Sequence, residues 1–241
     1  MKNISLLLAS MLVLLLLNGC TDNGTGENTY DQNQPQQIQS TIPAQDVGIG
    51  SEYDLAAFMF AYPPLNNQNA EKEFLVTTQN AQGFFETDKS YIKRVQEGLT
   101  DDLGDKIINI FENNSLIEHA VVNETRISVT FYQNQLETGT EQYRRYFRLH
   151  EDMFRSNEGA CVYKDIWENG LDISEIIPLQ ANPNSGSAHF AKVLQVYCGT
   201  REGTKIDRYY ADGWGIIAEV IQSATGETVY SVFDQSSYKM Y

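Results

Sequence analysis

The sequence predicts a mainly β fold: a large, curved antiparallel sheet or partly open barrel, laid out as a meander with one or two short helices. Three observations point there. Apolar residues beyond residue 50 recur mostly with period two. The segments that alternate are joined by short connections carrying Gly, Asn, Asp or Ser. Helical patterns are few, so parallel strands, which need crossover helices, are excluded.

The clearest strand is Thr125 to Tyr132, where Thr125, Ile127, Val129 and Phe131 share one face and Arg126, Ser128, Thr130 and Tyr132 the other. Gln142 to His150 alternates too, with Tyr143, Phe147 and Leu149 against Arg144, Arg148 and His150. Between them Asn134 to Gly139 reads as a hairpin loop. Further strands are expected at Phe74–Gln79, Ser90–Gln96, Lys106–Phe111, Leu116–Val122, Ala160–Trp167, His189–Tyr197, Thr204–Tyr210, Gly215–Gln222 and Thr228–Phe233. Tyr53 to Phe60 reads as a short helix capped by Ser51, or as a strand running into Pro63-Pro64. Leu171 to Ile177 holds one helical turn before Pro178. Asp212-Gly213 is a tight-turn pair, and Gly215 suits a bulge or a close backbone contact.

The N-terminus has a different character. Lys2 precedes an apolar run from Ile4 to Leu17, and Leu17-Asn18-Gly19-Cys20 follows. The run is too short to cross a bilayer as a helix and suits the apolar part of a signal peptide. These residues resemble a bacterial lipoprotein signal ending in a lipobox, with Asn18 where the family usually has Ala, Ser or Thr. The resemblance implies cleavage before Cys20 and lipid, palmitate included, on that cysteine. With Thr21 after Cys20 and Asp22 only one later, it also implies sorting to the outer membrane, facing the periplasm or the cell surface, over retention in the inner one.

Three regions follow from this reading: a signal peptide at 1–19, a lipidated cysteine with a polar tether at 20–50, and a single β-rich exported domain at 51–241. The tether is rich in Asn, Gln, Gly, Thr and Pro and has no Lys or Arg. Such a chain buries too little to offset its ordering entropy, and would hold the domain on the order of 30 Å from the membrane.

A second resemblance lies near the C-terminus. Asp207-Arg208-Tyr209-Tyr210-Ala211-Asp212-Gly213-Trp214-Gly215-Ile216-Ile217 looks like the aromatic hairpin that closes many exported bacterial β-sheet domains. It is also similar to the meandering sheets of lipoprotein-localisation factors. It marks a fold element and implies no activity.

The formal net charge is −15 over 241 residues. Nucleic acid is not an expected partner, because phosphate binding needs clustered cations, and electrostatic docking to anionic lipid heads is disfavoured. Cys161 and Cys198 remain once Cys20 is assigned to lipid, and in an oxidising compartment they are expected to pair. No Cys-x-x-Cys occurs, and His119, His150 and His189 are scattered, so no metal and no cofactor is expected. No Ser lies in a Gly-x-Ser-x-Gly elbow and no Gly-rich phosphate loop is present. The chain is therefore not expected to be an enzyme.

One patch stands out from the acidic background: Arg144, Arg145, Arg148 and His150 among Tyr143, Tyr146 and Phe147. It reads either as an anion or partner contact with guanidinium groups stacked on rings, or as cations paired with Glu124 or Glu141 on a neighbouring strand. The functional expectation is a non-catalytic, lipid-anchored envelope protein that binds another envelope protein or supports an assembly. A carrier or sensor of a lipid or other hydrophobic ligand within the curved sheet is the alternative, and an envelope hydrolase the second.

Overall fold

The computed structural model describes residues 51–60, 69–156, 159–181 and 188–240. The signal peptide, Cys20, the tether and Pro63-Pro64 lie outside them. Within them the chain is an antiparallel β protein whose main sheet has 12 strands, curled nearly into a barrel with one seam.

The strands are β1 (Tyr53–Asp54), β2 (Asn69–Gln79), β3 (Phe85–Thr100), β4 (Lys106–Glu112), β5 (Ser115–Val122), β6 (Arg126–Gln133), β7 (Leu136–Arg144), β8 (Tyr146–Phe147), β9 (Met153–Ser156), β10 (Gly159–Trp167), β11 (Leu171–Asp172), β12 (His189–Phe190), β13 (Val193–Gly199), β14 (Lys205–Ala211), β15 (Gly215–Gln222) and β16 (Thr228–Met240). One helix, α1 (Leu55–Met59), follows β1. The main sheet runs β7-β6-β5-β4-β3-β2-β16-β15-β14-β13-β10-β9, a meander whose first and last strands meet through β2 and β16.

The hairpins form because polar residues head their turns. Asn80 Oδ1 accepts from the amides of Gln82 and Phe84, each at 3.0 Å. Asp101 Oδ1 accepts from Leu103 and Asp105, each at 2.9 Å, and Asn123 Oδ1 takes the amides of Thr125 and Arg126. Each side chain thus replaces a backbone partner the turn would lack. Asn113-Asn114 and Asn134-Gln135 have positive φ at both central positions, the geometry that matches the twist of paired strands. The second turn corrects an expectation: the loop is only Asn134-Gln135, and Leu136 to Gly139 already belong to β7. Likewise the helix cap is Asp54, whose Oδ1 accepts from Ala56 N at 3.0 Å, and Ser51 has no such part.

Alternation decides which face is buried. Ile108 and Ile110 on β4, Ala120 and Val122 on β5, Ile127 and Val129 on β6, and Leu194 and Val196 on β13 all face inward and are buried. Leu55, Ala56 and Phe58 of α1 pack against them. The helix therefore fills one end of the barrel, where Gly213 N on the β14–β15 turn donates to Ala57 O. Burying each such large side chain contributes about 1.5–3 kcal/mol. On the outside, Val193, Tyr209, Ala218 and Val232 would be wet. The excursion between β10 and β13 covers them with Leu171, Ile173, Ile177 and Phe190. Ile173–Glu175 forms the helical turn expected before Pro178.

The seam lies between β7 and β9. Among the described residues no ladder joins them. The Tyr143 and Phe154 rings meet edge-on at 5.2 Å, and the short pair β1–β8 ties the chain after β7 to the segment entering α1. Register shifts such as those at Val76/Thr77, Gln96/Leu99 and Tyr209/Tyr210 supply the local bends that a curled sheet needs.

Cys161 and Cys198 face each other directly across β10 and β13 and are bonded. Closing a loop of sequence separation 37 constrains the unfolded chain by about 4 kcal/mol in the loop-entropy model. Cys161→Ser should therefore lower the melting temperature, and so should reductant on the wild type, without the two effects adding. Thermal melts check this; an unchanged melting temperature in the variant would show that the bond contributes nothing.

Candidate functional site

A barrel of eight strands is about filled by its own inward side chains, and wider barrels leave space. Here α1 fills only the end at the β14–β15 turn. The antiparallel hairpins place the turns β2–β3, β4–β5, β6–β7 and β15–β16 at the opposite end, and toward it the inward side chains change character. Register puts Lys93 on β3, Glu118 on β5, Glu141 on β7, Arg208 on β14, Glu219 on β15 and Ser231 on β16 on the inner face, with Tyr143 and Tyr210 on the same face nearer the helix end. They form a belt of charged and hydroxyl groups above the apolar floor made by α1 and its neighbours.

The belt is not fully closed off from solvent. Arg208 and Glu219 point inward yet keep side-chain exposures of 20% and 22%. Lys93 and Glu118 are likewise only half-buried although register places them on the inner face. Partly buried Phe131, Phe154 and Ile221 join the same face.

Charges in such a place are expensive unless paired. Arg208 Nε donates to Glu219 Oε2 at 2.5 Å. Burial raises the Glu219 carboxyl, but the charge of Arg208, its hydrogen bond and Lys93 outweigh this and leave it below the usual range. Burial raises Glu118 more than Lys93 and Arg208 lower it, and Glu141 and Glu219 push the same way, so it titrates above a normal glutamate. Burial pulls Lys93 down, yet Tyr91, Glu118, Glu219 and Glu112 more than restore it. Burial, helped by a hydrogen bond to Glu141, raises Tyr143 well above a free phenol. Tyr91 and Ser231 hydroxyls lie 2.6 Å apart.

Lys72 sits nearer the helix end. It is 3% exposed, donates to the carbonyls of Trp214 and Ile216, and lies 5.2 Å from the Phe233 ring centroid. Burial, and secondly the charge of Lys93, lower it to about 7.

The residues singled out in the sequence stand apart from this belt. Arg145 makes a two-oxygen contact with Asp54, Nη2 at 2.8 Å and Nε at 3.1 Å, donates to Asn123 O, and stacks over Tyr146 at 5.5 Å. Arg148 contacts Glu52 at 3.2 Å and Glu151 at 3.7 Å, and Arg144 lies 3.7 Å from Asp152. Glu52, Asp54, Glu151 and Asp152 are thus acids that face these arginines. His150 is at a turn with φ 61°. His119 bonds Asn109 at 2.8 Å on the outer face, and His189 bonds Asp172 at 2.9 Å. Among the described residues no group of three or more His, Cys, Asp or Glu is placed to hold a metal. Cys20 lies outside the described residues.

No protein-family model matches the chain, and no curated protein matches it. Among solved structures it is similar to a β-barrel-like domain of unknown function, DUF1849, from Brucella abortus (8% identity, 73% of this chain and 98% of that one, TM-score 0.29). It is also similar to a protein with a YmcC-like fold from Bacteroides fragilis (10% identity, 76% and 99%, TM-score 0.36). A third is a LolA superfamily protein from Nitrosomonas europaea (8% identity, 73% and 88%, TM-score 0.23). Scores this low assign neither a fold family nor a function.

Lys72 gives the barrel a pH signature. Its folded pKa of about 7 lies below the unfolded value of about 10.4. The unfolded chain therefore binds more protons between these values, and stability rises with pH across that window by up to about 1.4 kcal/mol per unit. Below pH 7 both states are protonated and the contribution is flat. Melts of wild type and Lys72→Met from pH 6.5 to 10 should show the difference between them changing in the wild type's favour above pH 7. A constant difference would mean that Lys72 stays charged in the fold.

Proposed function

We propose that this protein is a non-catalytic binding barrel of the cell envelope, anchored to a membrane, preferably the outer one, by lipid on Cys20, and that it holds a small ligand inside its sheet. The observation that carries the reading is the hollow belt of charged and hydroxyl groups above an apolar floor. Ligand sites are concave, largely preformed, and combine apolar lining with a few placed polar groups. Phe131, Phe154 and Ile221 supply the first, and Lys93, Glu118, Arg208 and Glu219 the second.

The belt favours a ligand bound within the curved sheet over a docking role for the arginine patch. Arg145 and Arg148 are engaged by Asp54 and Glu52 of the same chain, which leaves less charge for a partner. The charged lining also disfavours a purely hydrophobic cargo, since each luminal ion would lose water to a chain that offers no hydrogen bond. The ligand therefore carries polar groups of its own.

Native mass spectrometry of the protein extracted from its own membranes tests both halves. The expected spectrum shows a chain beginning at Cys20 with acyl mass attached, and a non-covalent adduct that disappears on unfolding. A full-length, unacylated chain would remove the anchor from the proposal, and a bare protein mass would remove the ligand.

A further inference from the structure

Two luminal charges of opposite sign lack a hydrogen-bonding or ion-paired partner. Among the described residues, neither the Lys93 ammonium nor the Glu118 carboxylate makes a hydrogen bond or an ion pair. Both are held inward by strand register, and both border the proposed chamber. Of their neighbours, Arg208 is committed to Glu219 and Glu141 to the Tyr143 hydroxyl, while Glu112 lies across β3–β4 from Lys93.

The backbone explains why the two do not simply join. Lys93 pairs across β3–β4 with Glu112, and Glu118 pairs across β4–β5 with Ile110. They sit on strands separated by one other, their backbones roughly 10 Å apart at two strand spacings, and Glu118 is level with Ile110, two positions along β4 from Glu112, the partner of Lys93. Each attracts the other across that gap, and neither closes it. The Lys93 ammonium is flanked by the rings of Phe74 and Tyr91, each with its centroid 5.8 Å away, and these apolar faces offer it no hydrogen-bond acceptor. A group placed in the gap would meet a cation on one side and a carboxylate on the other.

We infer that the hollow binds a small zwitterion, its ammonium against Glu118 and its anionic oxygen group against Lys93. The inference rests on the reading of the barrel as a ligand chamber and names the class of ligand. A ligand of one sign satisfies one of the two residues and is repelled by the other, whereas a dipolar one satisfies both and restores the hydrogen bonds that each lost on leaving water. The same chemistry is offered by a free amino acid or by the headgroup of an ethanolamine phospholipid.

Calorimetric titration of the full lipidated protein in detergent separates the cases. β-Alanine and phosphoethanolamine are the dipolar probes, lysophosphatidylethanolamine is the lipid form, and ethanolamine, acetate and inorganic phosphate are the single-charge controls. At least one dipolar probe should bind at least tenfold more tightly than every control. Glu118→Gln and Lys93→Gln should each weaken it at least tenfold, in proteins whose thermal melts remain cooperative. Binding of the lysolipid alone would identify a lipid headgroup as the source, and comparable binding of a free probe would identify a soluble one. If no dipolar probe binds, or if both variants bind like the wild type, the inference is overturned. An adduct in the native mass spectrum together with that failure would leave the ligand chamber standing and remove only the zwitterion.

Discussion

The inner face of a long antiparallel sheet has to be taken out of water, and this chain does it by curling the sheet around its own first helix. Leu55, Ala56 and Phe58 present a small apolar body to strands on several sides of the barrel. Losing one such side chain from a filled core typically costs about 3–5 kcal/mol for a phenylalanine. The rest follows from that contact. Because α1 is five residues long, it fills only one end. Because the sheet has 12 strands, more than the roughly eight that side chains alone fill, the other has room for the proposed chamber. The hollow is thus a consequence of how the core is made.

Within the hollow, the paired and unpaired ions differ in what they contribute. Arg208 and Glu219 answer each other at 2.5 Å, so their burial is largely offset. Glu118 has no such partner, and its raised pKa records first the cost of burying its charge and then that of nearby Glu141 and Glu219. Lys72 is a third case, satisfied by two backbone carbonyls but with no opposite charge in contact. A sequence selected for stability alone would replace such groups with apolar ones of similar volume. Their presence where the barrel is open inside fits the general tension between stability and a functional site.

Much of the fold was legible in the chain, and the reasons are local. Ile127 and Val129 alternate with polar residues over a whole strand, so β6 could be placed and its faces assigned. Asp212-Gly213 announced the turn between β14 and β15. The β7 start was hidden, because Leu136 to Gly139 contains Glu, Thr and Gly and looks like loop; only the two positive φ values at Asn134-Gln135 make the short turn possible. The arginine run was visible, but its partners Glu52 and Asp54 lie more than 90 positions earlier, a distance that no local pattern spans. The luminal belt was missed for another reason. Glu118 shares a face with Ala120 and Val122, and Arg208 with Ile206 and Tyr210. Parity alone would have put these charges inside; they were passed over because an inward-facing ion is normally a reason to doubt a strand's register. The N-terminal segment that resembles a lipoprotein signal lies outside the described residues, and the proposed anchor rests on that motif.

The account depends most on the claim that the barrel is filled at one end and hollow at the other, and β5 crosses that boundary. Glu118 and Ala120 are two residues apart on the same inward face, one half-buried and one fully buried. With Cys161 and Cys198 bonded, a cysteine introduced at either place in the Cys20-acylated protein would be its free thiol. Labelling of the folded protein by a small charged methanethiosulfonate reagent should proceed at Glu118→Cys and fail at Ala120→Cys until the protein is unfolded. Equal protection of both thiols in the folded state would mean that the barrel is packed throughout, and the binding chamber would not exist.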